Sequence, residues 1–276
     1  MAISATAAKF DIEHIADDEP ENPQAYWHVQ ALLLSEFAVT LARGLRPGMG
    51  IEAQLPLRIV RDRVHYEDLA RQSYTPPSPD LHHRNETLAG LADPQLSVHF
   101  GHQLEPWTLA ARIGVSAPIG RTEPNPFELG NRGLRHQHTQ FGSGTWDPIL
   151  GVAVGHSFGA LHMQLGGIAR LTLAENEHGY RAGNRYSLPL GAARGLGKSW
   201  NANVGLMLAR EEPEEWGGRI EDEGNLGRTD LLLSLGAGRV IASLGGFALN
   251  LQLPIVSETT GEQVKIPVIF SLAWTR

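Results

Sequence analysis

The sequence predicts an all-β chain, an antiparallel up-and-down transmembrane β-barrel of about twelve strands. Three observations predict it. Apolar and polar residues alternate through many stretches of about ten, the length at which a tilted strand crosses a bilayer. Those stretches are joined alternately by tight turns and by long polar loops, the asymmetry of bacterial outer-membrane barrels. The polar face also carries small residues, among them Gly114, Gly151, Ala153, Gly155, Gly191 and Gly205. A water-soluble sandwich or barrel, the rival that also alternates, would instead bury its apolar face inside.

The C-terminal run is the clearest strand. Val264, Ile266, Val268, Phe270, Leu272 and Trp274 fall on one face and Lys265, Ser271, Ala273 and Thr275 on the other, because successive strand side chains point to opposite faces. From the start of the chain, the first strand is read over residues 8–14, with Phe10 and Ile12 outward and Lys9, Asp11 and Glu13 inward. An acidic loop with Pro20 and Pro23 leads to a second strand ending near Ala42, in which Leu33, Phe37, Val39 and Leu41 alternate with Glu36, Ala38 and Thr40. Gly44, Pro47 and Gly48 supply turn chemistry before a third strand that sets Ile51, Ala53, Leu55, Leu57 and Ile59 against Glu52, Gln54, Pro56 and Arg58.

After a long loop over residues 67–91, strand four sets Leu96, Val98 and Phe100 against Gln95, Ser97 and His99. Strand five sets Trp107, Leu109, Ala111, Ile113 and Val115 against Thr108, Arg112 and Ser116, and residues 120–144 form the next long connection. Strand six (Leu150, Val152, Val154) turns at Ser157, Phe158 and Gly159 into strand seven, where Leu161, Met163 and Leu165 face away from His162, Gln164 and Arg170. Strand eight carries Arg185, Ser187 and Pro189 inward, strand nine Asn201, Asn203 and Gly205, and an acidic loop over residues 211–227 follows. Strands ten (Leu231, Leu233, Leu235) and eleven (Phe247, Leu249, Leu251, Leu253, Ile255) meet in a glycine-rich turn, and residues 257–263 lead to the last strand. Long connections follow odd strands and short ones even strands, so one domain, residues 1–276, accounts for the chain.

Composition excludes other classes. The net charge of −7 without a Lys/Arg cluster argues against nucleic acid as a partner. Cysteine is absent, which removes thiolate metal sites and Cys nucleophiles. No run approaches the roughly 20 apolar residues of a membrane helix. Residues 1–10 lack a basic segment followed by an apolar one, so the expectation is a mature form with a start methionine or a misplaced gene start. Trp107, Tyr186, Trp200 and Trp274 near strand ends suit the aromatic girdles of an outer-membrane barrel.

With the apolar face toward lipid, charge of both signs lines the interior. Besides Lys9, Asp11, Glu13 and Lys265, the pore candidates are Glu36, Glu52, Arg58, His99, Arg112, His162, Arg170 and Arg185. Such groups either set the selectivity of a pore or pair with one another across a plugged lumen. The histidine pairs His82–His83 and His136–His138 lie in predicted outer loops, but no Cys or nearby carboxylate set completes a metal pattern, so solvated loop histidines are expected, with no cofactor. Ser97 and His99 share a face, yet no Gly-x-Ser-x-Gly motif is present; Gly155-His156-Ser157-Phe158-Gly159 places His at the nucleophile position. The chain is therefore not expected to be an enzyme.

Residues 115–155 include Ser116-Ala117-Pro118-Ile119-Gly120 and Gln140-Phe141-Gly142-Ser143-Gly144-Thr145-Trp146-Asp147-Pro148. They resemble the outer-membrane transporters grouped with the meta-pathway of phenol degradation, which carry a Pro-Thr-Gly at a strand end and, after a long loop, a Gln-x-Gly-Ser/Thr-Gly-Ser-x-Asp entry to the next strand. Leu91-Ala92-Asp93-Pro94 is similar to that family's Gly-Leu-Gly-Asp strand entry, and Gly179-Tyr180-Arg181-Ala182-Gly183 to a later loop. Ile119 stands where the family has Thr, and Ala92 where it has Gly. The resemblance implies a barrel in the outer membrane of a Gram-negative bacterium, with lipid and small, aromatic or apolar solutes as partners. A monomeric channel is the first expectation; a plugged structural or surface-binding barrel is the alternative. From the residues themselves, Gly142 and Gly144 suit positive φ or a bulge at a loop's re-entry to the sheet, and Asp147 suits bonding to nearby backbone amides.

Overall fold

The computed structural model describes residues 1–16, 24–77, 84–222, 224–260 and 264–276. Twelve antiparallel strands close into one ring. They are β1 (Ala2–Ala16), β2 (Tyr26–Arg46), β3 (Met49–Glu67), β4 (Glu86–Leu91 continued by Gln95–Leu104), β5 (Trp107–Ser116) and β6 (Asp147–Phe158). The circuit continues through β7 (Leu161–Arg170), β8 (Arg185–Leu196), β9 (Trp200–Glu211), β10 (Arg228–Ile241), β11 (Gly245–Thr259) and β12 (Val264–Thr275). Each strand pairs with its neighbours in the chain, and β1 closes on β12 from Ala2 opposite Thr275 to Ile12 opposite Val264. Closure satisfies the backbone groups that an open edge would leave bare in lipid. Short turns follow the even strands and, apart from the link 260–263, longer connections follow the odd ones, so both termini lie at the short-turn end.

The outer face of the ring is apolar over a continuous band: Phe37, Val39, Leu55, Leu57, Ile113, Val152, Leu188, Leu206, Leu249 and Leu272 all stand exposed on it. Trp107, Phe158 and Trp200 rim this band at the short-turn end, where amphipathic rings suit a membrane boundary. His156 packs between Trp107 and Phe158, with ring centroids 4.4 and 4.1 Å away.

Beyond the band, at the long-loop end, the pattern reverses. β2 and β3 run 21 and 19 residues, about twice the length a bilayer requires. In this extension Arg61, Arg63 and His65 face out while Val60 and Val64 are buried inside. Water surrounds the extension, so it follows the rule of a soluble barrel.

This reversal corrects the reading of the first strand. Lys9 lies opposite Leu33 and Glu13 opposite Val29, on the outer face, and Phe10 and Ile12 point in. Lys9 and Asp11 form an exposed ion pair at 2.8 Å. Glu13 pairs with Arg71, whose guanidinium lies 3.8 Å above the Trp27 ring. Lys265 is likewise displaced from the inward set, because a register shift between β1 and β12 sets it opposite Asp11. All four polar side chains belong to the water-facing extension and not to the lumen of the membrane zone.

β4 contains the break that positions the site. Leu91 lies opposite Leu57 and Gln95 opposite Gln54, so β4 carries one residue more than β3 across the interval. The extra residue is a bulge at Ala92, Asp93 and Pro94, and it turns the Asp93 side chain into the barrel. On the inner face of β6 to β10, small residues pair across the register at Ala153–Gly166 and Gly191–Gly205, while other glycines face larger side chains, Gly151 opposite Ile168, Gly155 opposite Gln164 and Gly236 opposite Asn203.

Candidate functional site

The inner face places the eight predicted lumen residues in four groups. Glu36 on β2 accepts a hydrogen bond from Arg58 Nε on β3 at 2.7 Å. Glu52 on β3 meets Arg112 Nη2 on β5 at 3.5 Å and His99 Nε2 on β4 at 3.7 Å. The same His99 nitrogen lies 3.1 Å from Ser97 Oγ. Arg170 on β7 and Arg185 on β8 are register partners. His162 stands apart near the short-turn end, 3.2 Å from Ser157 Oγ through Nδ1.

Two residues outside the predicted set organise the centre. Arg170 donates Nε and Nη2 to Asp147 Oδ2 at 3.0 and 2.6 Å, and Nη2 also to Asp93 Oδ2 at 3.0 Å. The Asp93 and Asp147 side chains are 1% and 0% exposed, so each depends on its hydrogen bonds to remain charged away from water. Asp93 accepts from the backbone amides of Gly120 and Ser143 at 2.9 and 2.8 Å and from Ser143 Oγ at 3.0 Å. Asp147 accepts from Thr145 Oγ1 at 2.6 Å. The amide-binding role that the sequence assigns to Asp147 thus belongs to Asp93, and Asp147 is the principal anchor of Arg170.

This network pins the β5–β6 connection against the inner wall. Arg58 Nη1 donates to the Phe141 carbonyl at 3.2 Å, and Phe141 itself is buried against Gly90 and Arg121. Gly142 approaches Asp93 and Gly120 so closely that a Cβ there would lie 2.8 Å from Gly120 Cα. Gly144 adopts φ +72°, the positive value the sequence suggested. The segment 140–145 is therefore held inside the ring by two strands and two buried carboxylates.

Above it, outer loops pack on one another. A short helix α1 (Pro126–Asn131) is capped by Asn125, whose side chain accepts from Phe127 N at 3.0 Å. Phe127 meets His138 and Trp216 edge-on, and Trp216 packs on Tyr180 at 4.8 Å. His136 and His138 lie 5.2 Å apart within this cluster, and no group of three or more metal-ligating side chains occurs among the described residues. His82 and His83 lie outside the described residues.

Glu214, buried beside Trp216 Nε1 at 3.2 Å, has its carboxyl pushed above the ordinary range, chiefly because burial disfavours the charged form. The folded loop then binds a proton more tightly than the open one, so its stability is greatest in acid and falls as pH rises from the ordinary carboxyl range through the raised value. Amide exchange in residues 212–222, corrected for intrinsic rates, is expected to slow severalfold from pH 7 to pH 5. Glu214→Gln should remove that dependence; a loop equally protected at both pH values in the native protein would contradict it.

No family model and no curated protein sequence matches the chain. Among solved structures, an outer-membrane channel from Pseudomonas putida F1 superposes with a TM-score of 0.61 at 14% identity, covering 99% of this chain and 93% of that one. The fold is that of an outer-membrane β-barrel. A Pseudomonas aeruginosa FadL homologue gives 0.44 at 12% identity over 99% and 88% of the two chains. A deletion mutant of the TodX monoaromatic hydrocarbon channel gives 0.48 at 7% identity over 100% and 90%.

Proposed function

We propose that this chain is a monomeric outer-membrane channel that passes small molecules, among them aromatic or apolar compounds, without cofactor, nucleic acid or catalysis. One observation carries the reading. Across the membrane zone the charged inward side chains Glu36, Glu52, Arg58 and Arg112 gather on β2 to β5, whereas the inner face of β6 to β10 mixes glycine and alanine with mostly uncharged side chains such as Gln164, Asn201, Asn203 and Met207. The small residues among them, Ala153 opposite Gly166 and Gly191 opposite Gly205, leave room for a solute beside the ion pairs. The similarity of residues 85–94 and 115–155 to transporters of phenol degradation supports the finer substrate class.

The Ser97–His99 contact supports the absence of hydrolysis. Glu52 and Ser97 both approach His99 Nε2, whereas a catalytic acid would orient the opposite ring nitrogen.

Single-channel recording in planar bilayers tests the proposal. Discrete conductance steps are expected, shifted toward anions by Glu52→Gln and toward cations by Arg112→Gln, since each removes one charge from the same narrow wall. Stable insertion with no steps would overturn it in favour of a plugged surface barrel.

A further inference from the structure

Beneath the outer loops a small recess, open on one side, is bounded by β3, β7, β8 and the segment 140–145. Three guanidiniums line it, those of Arg58, Arg170 and Arg185, and no carboxylate does. The acids that hold them stand behind: Glu36 at Arg58, Asp93 and Asp147 at Arg170, and Glu211 at Arg185 at 2.8 Å. Arg58 spends Nε and Nη1 on protein acceptors, and Arg170 and Arg185 each spend Nε and Nη2. Arg58 Nη2, Arg170 Nη1 and Arg185 Nη1 therefore keep no protein acceptor among the described residues, and none of them is a buried orphan. The remaining wall offers Gln140 as a polar neighbour and Phe141 and Tyr180 as aromatic ones.

We propose that this recess is a transit subsite for small aromatic carboxylates, with the anionic head on the spare guanidinium nitrogens and the ring toward the aromatic wall. Planar guanidiniums with fixed donor directions match a carboxylate, and their geometry is already set by the acids behind them. Those four acids more than balance the three guanidiniums, so the head is held by oriented donors and not by an attractive field. Such a site captures a solute yet releases it, as passage requires. The assignment deepens the channel reading and rests on it for its physiological role.

Benzoate is the probe, with benzyl alcohol as the uncharged counterpart and acetate as the head alone. Calorimetry on the detergent-folded protein reads binding independently of conductance, and channel block in bilayers reads transit. Benzoate is expected to bind and to reduce the single-channel current, with benzyl alcohol and acetate each at least about tenfold weaker, the loss of one charge-assisted contact or of the ring. Arg58→Gln and Arg185→Gln, each checked for a folded barrel by heat-modifiable gel mobility, are expected to raise the half-blocking benzoate concentration about tenfold. Equal potency of benzoate and benzyl alcohol, or of benzoate and acetate, would overturn the subsite. So would unchanged benzoate affinity in both folded variants. A native protein that conducts but ignores benzoate would refute the subsite alone, whereas one that binds benzoate yet never conducts would refute the channel reading and leave the subsite standing.

Discussion

Arg170→Ala is expected to destabilise the folded barrel by about 3–5 kcal/mol, the usual cost of removing one partner from a buried charged group. The magnitude follows from where the two acids lie. Asp93 and Asp147 are almost wholly excluded from solvent, and Arg170 is the only cation that either of them contacts among the described residues. Without the guanidinium two buried carboxylates lose their shared cation, and like charges a few ångströms apart would oppose folding. Arg170→Lys should recover only part of the loss, because one ammonium cannot reproduce the two donor directions that serve Asp147 and Asp93 together. The midpoint of the heat-modifiable gel shift, or urea unfolding in detergent, measures the change. A loss below about 1 kcal/mol, the value of a solvent-exposed pair, would mean that the network is not the keystone of the inner face.

The fold was legible wherever one physical rule governed a whole strand. β5, residues 107–116, lies within the apolar band, and its alternation alone sets its faces and bounds. β1 failed because two solvents act on one strand. From Ala2 to Ala8 the outside is lipid, but from Lys9 onward it is water, and the polar side chains that would mark a lumen in the first zone mark the exterior in the second. The same change of solvent governs the upper parts of β2 and β3, whose faces the sequence reading assigned only over residues 33–42 and 51–59. Alternation gives a face only once the surrounding medium is known.

The site divides in the same way. Glu36, Glu52, Arg58, His99, Arg112, Arg170 and Arg185 sit in regular strand, where parity places them on the inner face. Asp93 was not selected because parity does not reach the additional residue of a bulge, whereas Asp147 shares the inward parity of Gly151 but opens its strand from a long loop, where its context pointed to backbone amides instead. A weaker signal did exist. Both acids are followed by proline, at Asp93-Pro94 and Asp147-Pro148, and each Asp-Pro pair stands where a strand interval begins. The proline carbonyls accept from Ala117 N and Leu171 N at 2.8 and 3.0 Å, so the two pairs make matching entries at one height of the barrel. Two strand entries of the same composition, with an arginine on the adjacent strand, were a readable sign of a shared partner.

Gly142→Ala should release the inner segment while leaving the ring closed. The added Cβ would lie 2.8 Å from Gly120 Cα and closer still to Asp93 Oδ1. Neither neighbour can withdraw cheaply, since Gly120 is backbone and Asp93 is fixed by Arg170, Ser143 and the Gly120 amide. Overpacking of this kind costs about 1–3 kcal/mol, and the segment 140–145 can relieve it by moving off the wall, because its remaining tie to β3 is the Arg58 bond to the Phe141 carbonyl. The expected results are larger and noisier single-channel currents, faster amide exchange in residues 140–145, and little change in the ring strands. Gly195→Ala is the matched control: Gly195 has no atom within 4 Å of an added Cβ and needs no positive φ, so currents and exchange should stay as in the native protein. If Gly142→Ala behaves like that control, the close approach at Asp93 does not hold the segment, and its position must be set by the outer loops above it.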